Sequence, residues 1–266
     1  VNTFILSAST IAFYLIAAMA RLYLVRNHAL SPKKILFAFG VIAILLHSVL
    51  LHQDMVTPTG LDLGFFNAAS LVMWVISILL LFTLFSKPVE NLVVVLFPLA
   101  ALTIILQAYF PTERILPANT EIGVQIHIFY SILSYAILSI SAFQAFFLAM
   151  QDYQLRRKRL AWAMQMLPPL QVMETLMFQM VALGLLLLSL SLISGFLFLE
   201  DIFDQHLVHK TILSIAAWFV YATLLWGRWR YGWRGRKAIR WNLAGFFVLL
   251  LAYFGKKFVL ELILHR

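Results

Sequence analysis

The chain contains no cysteine in its 266 residues. This excludes disulfide staples, thiolate metal sites, cysteine nucleophiles and haem attached covalently through cysteine. Charge is scarce as well. Only 12% of residues are charged, where a soluble domain carries about a quarter. Acid is scarcer still, with 11 Asp and Glu against 20 Lys and Arg, for a formal net charge of +9. Because 63% of the residues are hydrophobic, this basic excess points to an anionic membrane surface rather than to nucleic acid, for which no base-presenting fold is available. Gly-rich phosphate loops, HExxH and GxSxG are all missing, so nothing in the motifs supports an enzyme.

What the chain has instead is length in apolar runs. A helix crossing hydrocarbon needs about 20 apolar residues, because no water is there to satisfy a bare backbone. Eight segments reach or approach this: Phe4–Leu24, Ile35–His52, Phe65–Phe85, Leu92–Phe110, Ile122–Met150, Leu176–Leu199, Thr211–Trp226 and Trp241–Leu264. The last is interrupted by Lys256 and Lys257, which can snorkel near a surface. Every proline but Pro98 falls between runs. The expected fold is all-α, a polytopic membrane bundle of eight transmembrane helices forming a single domain over 1–266. Residues 1–110 supply four N-terminal helices, and 120–260 form a core.

Fifteen of the 20 Lys and Arg fall on the first, third, fifth and seventh connections. They include Arg156-Arg157-Lys158-Arg159 and the run Arg228–Arg240, in which Arg alternates with Trp229, Tyr231 and Trp233. The positive-inside rule places those connections in the cytoplasm and both termini on the outer, periplasmic side. The simplest role of the basic connections is contact with anionic membrane lipid. Ala18-Met19-Ala20 imitates a signal cleavage site, but the basic residues follow the apolar run rather than precede it, so a retained first helix is expected.

Two histidines fall inside helices. His47 and His127 each lie about five residues, or roughly 7–8 Å of helix rise, from the outer boundary. They are therefore expected at one depth. Imidazoles at that depth face protein or a cavity. They can either pack helices by donating to a neighbouring carbonyl or serine, or ligate the iron of one porphyrin. His127, Ser131, Ser134, Leu138, Ser141 and Ala145 share a stripe of the fifth segment. That stripe reads as a close-packing seam or as a cavity wall flanked by Tyr130 and Tyr135. Arg114 and Lys210 are among the few outer cations able to meet haem propionates, or they are interfacial anchors. Asp54, Asp62 and the other outer carboxylates read as solvated loop charges.

Val124-Gln125-Ile126-His127-Ile128, followed by Ser131 and Ser134-Tyr135-Ala136, resembles the histidine helix of cytochrome c assembly proteins of the CcsA/CcmC type. Gly184–Gly195, Trp218–Trp226 with Gly232-Trp233-Arg234-Gly235-Arg236-Lys237, and Tyr253-Phe254-Gly255 match further passages of that family in order. The first 110 residues resemble its inner-membrane YpjD branch around His47 and Leu63–Ser70. The resemblance implies a multi-pass protein of the bacterial inner membrane that binds or handles haem b and works with cytochrome c maturation components. It implies His127 as a haem-iron ligand and, more loosely, His47 as the second, with Tyr130, Ser131, Arg114 and Lys210 around the cofactor. The family's tryptophan-rich haem loop has no counterpart: Glu200–Lys210 contains no tryptophan. Haem binding without catalytic turnover is thus the first expectation. A permease for another apolar solute, or a structural or regulatory subunit, is the alternative.

Overall fold

In a computed structural model, residues 3–26, 33–84, 89–110, 115–157, 168–198 and 208–252 are described. They form eight α-helices: α1 (Thr3–Arg26), α2 (Lys33–Met55), α3 (Phe65–Leu84), α4 (Val93–Tyr109), α5 (Ile122–Arg156), α6 (Leu170–Phe198), α7 (Val208–Tyr231) and α8 (Gly235–Leu250). Seven of them, α1 to α7, are long and apolar enough to cross a membrane. Helix formation is the physical requirement there, since each backbone group must find its partner within the segment. The expected eighth span, Trp241–Leu264, runs past residue 252 and out of the described residues. Pro98 sits within α4 without ending it.

The described residues divide into two compact units, one within Val1–Asn119 and one within Thr120–Leu160 and Pro168–Arg266. In the first, α1 packs on α2 and α4, and α3 packs on α2 and α4. Tyr14, Leu36, Leu50, Ile76, Leu80, Leu96 and Phe97 fill the centre. At one end sits a small antiparallel sheet that the sequence did not announce: β1 (Val56–Thr57), β2 (Gly60–Asp62) and β3 (Ile115–Pro117), with Leu61 opposite both Val56 and Leu116. Gly60 is required in it. Its φ is 151°, and a Cβ there would overlap the Leu116 carbonyl oxygen.

Asp62 is not a solvated charge. It is 8% exposed, and its carboxylate accepts from the Gly64 backbone N–H (2.9 Å) and from Asn67 Nδ2 (3.0 Å) where α3 begins. Asp54 likewise accepts from Gln107 Nε2 at 2.8 Å. At the other end of the unit, Arg21 is buried and donates twice to Asn91 Oδ1 (3.2 and 3.0 Å).

In the second unit α5 lies along α6, α7 packs on α6, and α8 packs on both α5 and α7. The run Arg228–Arg240 is helical at both ends, with only residues 232–234 between α7 and α8. Gly232 (φ 63°) and Gly235 (φ 54°) supply the left-handed backbone that so short a reversal needs. Trp233 folds back onto Gly227, and its N–H donates to the Gly227 carbonyl at 3.1 Å. Glu174 of α6 secures the turn by accepting from Arg228 Nη1 (3.0 Å) and the Gly235 N–H (3.4 Å).

Candidate functional site

The stripe on α5 closes against α6. His127 Nδ1 lies 2.8 Å from the Ser191 carbonyl, Ser134 Oγ donates to the Gly184 carbonyl (3.1 Å), and Ser141 Oγ donates to the Met177 carbonyl (3.3 Å). The donor advances seven residues along α5 each time the acceptor retreats seven along α6. Seven residues are close to two full turns, so one face of each antiparallel helix meets the other at a constant register. Gln144 and Gln151 continue the series onto the Met173 and Pro168 carbonyls (3.4 and 3.2 Å). A helical carbonyl keeps a second lone pair after its intrahelical bond, which makes these extra acceptors available. Small residues bring the helices close: a Cβ on Gly184 would stand 2.5 Å from Leu138 Cδ2. The stripe is therefore a packing seam along this length, as the small and hydroxylated residues allow.

His127 is the outermost rung and differs from the serines in having a second nitrogen. A carbonyl only accepts, so the ring hydrogen sits on Nδ1 and Nε2 carries the lone pair. Nε2 meets no hydrogen-bond partner among the described residues, and the side chain is half-buried. An imidazole held through Nδ1–H by a backbone carbonyl, with Nε2 open, is the arrangement of a metal-ligating histidine. Ser194 Oγ approaches the same Nδ1 at 3.5 Å, and Ser131 Oγ pairs with Ser191 Oγ at 2.7 Å. The donor set thus fits a haem group, whose iron His127 would hold through the neutral Nε2.

His47 is placed otherwise, in the first unit and fully buried. Its Nδ1 lies 3.0 Å from Tyr14 Oη of α1, and its Nε2 lies 2.9 Å from Ser70 Oγ of α3. Both partners are fully buried too. The imidazole ties three helices together, and iron could reach either nitrogen only by displacing a hydroxyl.

Of the remaining predicted residues, Tyr130 is half-buried with its ring 5.8 Å from that of Phe129. Lys210, near the start of α7, lies within electrostatic reach of His127. Arg114 and most of the segment Glu200–Lys210 lie outside the described residues. Tyr135 is buried and donates to the Leu249 carbonyl of α8 (3.1 Å). Ser191 and Ser194, which orient His127, were not anticipated as site residues, although both fall in the Gly184–Gly195 passage. Tyr14 carried no local signal, and Ser70, though it ends the Leu63–Ser70 passage, had none tying it to His47; they lie 33 and 23 residues from it.

Residues 35–264 match the family model described as "Cytochrome C assembly protein". The chain is 36% identical over 226 residues to "Inner membrane protein YpjD" of Escherichia coli (strain K12), covering 84% of this chain and 86% of that one. It is 32% identical over 85 residues to "Cytochrome c biogenesis protein CcsA" of Prochlorococcus marinus (strain NATL1A), covering 31% and 27%. To "Protein HemX" of Brevibacillus brevis it is 24% identical over 147 residues, or 54% of each chain. No solved structure matches significantly.

Proposed function

Because the chain belongs to the cytochrome c assembly protein family, we propose that it binds haem b through His127 in the outer half of the membrane and handles it without catalytic turnover of its own. Its place is the bacterial inner membrane, consistent with the name of its Escherichia coli relative, with eight spans and both termini outside. The name of the CcsA relative points to components of cytochrome c biogenesis as partners.

The observation that carries the reading is the fixed tautomer of His127, whose Nδ1–H is held on the Ser191 carbonyl while Nε2 stays open. When bound, haem would supply an iron centre that accepts a nitrogen ligand. The chain's part is to hold that nitrogen neutral, oriented and at a set depth. The Ser131–Ser191 hydroxyl pair braces the carbonyl's own turn of α6. Lys210 supplies positive charge near the ring, suited to a propionate. His47 keeps both nitrogens on hydroxyls, so the assignment rests on His127.

The test is absorbance of the full chain purified in detergent with and without added haem. A Soret band that disappears in His127→Ala and returns in His127→Gly supplied with imidazole supports the assignment. An intact band in His127→Ala removes His127 from the site, and colourless wild-type protein after haem supplementation overturns the reading.

A further inference from the structure

In sequence, Arg228–Arg240 is one basic and aromatic run; the structure sorts its cations into two kinds. Arg228 pairs with Glu174 (3.0 Å). Arg236 pairs with Asp152 (2.8 Å), which also holds Arg156 (3.0 Å). These two carboxylates are committed to fastening the ends of α5, α6 and α7 to the start of α8. Arg230, Arg234 and Arg240 are exposed, and no ion pair among the described residues includes them. Lys237 lies 3.7 Å over the Trp233 ring. Beside them Trp226, Trp229 and Tyr231 are 57%, 80% and 69% exposed on the last two turns of α7.

Exposed Trp and Tyr at a helix end mark the headgroup level of a bilayer. Three guanidiniums without counter-charge at that level face whatever anion the bilayer offers. A guanidinium fork matches phosphate oxygens in pairs, and the rings beside it suit the glycerol and upper acyl region. We propose that Arg230, Arg234 and Arg240, with Trp229 and Tyr231, form a docking surface for the headgroups of anionic phospholipid. Arg228 and Arg236 are excluded from it because their guanidiniums are already engaged by Glu174 and Asp152 within the protein. The inference does not depend on the haem assignment.

The experiment reads lipid retained by the full chain after extraction from mixed phosphatidylcholine and phosphatidylglycerol vesicles, by native mass spectrometry. The triple variant R230Q/R234Q/R240Q should lose preference for phosphatidylglycerol by an order of magnitude or more, at roughly five-fold per cation. R236Q removes one charge from the same region, and its preference should stay within about two-fold of wild type. Should the triple variant prove unstable, the three single variants, checked for helicity by circular dichroism, decide in its place. Unchanged preference in all of them overturns the proposal. Equal loss per charge in R236Q also overturns it, because that result reports net charge rather than a surface.

Discussion

His127 Nδ1 and the Ser191 carbonyl oxygen, 2.8 Å apart, fix which nitrogen of the ring is basic. At His47 nothing fixes it, because both neighbours, Tyr14 and Ser70, are hydroxyls that can donate or accept. Two histidines that look alike in the sequence are thus chemically different. One is a polarised imidazole whose Nε2 meets no partner among the described residues, the other the centre of a buried hydroxyl network.

The acceptor on Ser191 is backbone, so its side chain is dispensable for the tautomer. Ser191→Ala should keep the haem absorbance of wild type while losing only the hydroxyl pair with Ser131. His127→Ala should lower haem affinity by more than about 100-fold, beyond the 10–100-fold typical of losing an orienting partner. Titration with haem, followed at the Soret band, separates the two.

The Tyr14–His47–Ser70 network should report in stability. Tyr14→Phe removes one hydrogen bond and is expected to cost about 0.5–1.5 kcal/mol in a membrane setting. His47→Leu removes the imidazole from two buried hydroxyls, of which Tyr14 keeps Ser77 as a partner, and is expected to cost about 1–3 kcal/mol. The double variant should cost less than the sum, since Phe at 14 leaves nothing to strand there. Denaturant unfolding in mixed micelles measures all three.

Where Leu138 of α5 lies against Gly184 of α6, size decides. Gly184→Ala places a methyl 2.5 Å from Leu138 Cδ2 and should destabilise by about 1–3 kcal/mol through overpacking. Leu138→Ala in the same chain should recover part of that loss, although Leu138→Ala alone destabilises. Midpoints of thermal unfolding for the four proteins test the compensation.

Glu174 accepts from Arg228 and from the Gly235 N–H in a partly shielded setting. Glu174→Gln keeps the shape but removes the charge, and should cost about 1 kcal/mol once solvent screening is allowed for. Because the ion pair secures the turn, proteolysis around residues 231–235 should quicken in the variant, as limited digestion would show.

The helices were legible in the sequence because hydrocarbon demands unbroken apolar runs, and the bounds of α1 to α4 lie within a few residues of those expected. The faces were legible only where polarity marked them. A helix between lipid and protein is apolar on both sides, so apolar periodicity says little about what it packs against. The serines of α5 marked a polar face, as a packing seam or a cavity wall, while its partner α6 emerged only from the structure. His47 had no such marker, since its partners sit on helices whose rotation the sequence leaves open. The sheet was hidden because strands of two or three residues have no period to detect. The start of α8 at Gly235 was masked by basic residues that read as a connection.

The first unit is fastened at both ends: by the three strands above α2, α3 and α4, and by Arg21 on Asn91 below. The strands tie the ends of α2, α3 and α4, and Arg21 ties α1 to Asn91 just ahead of α4. The Tyr14–His47–Ser70 bolt resists rolling of α1, α2 and α3 against one another. Anything that repacks the interior of this unit must therefore first break one of these buried polar ties.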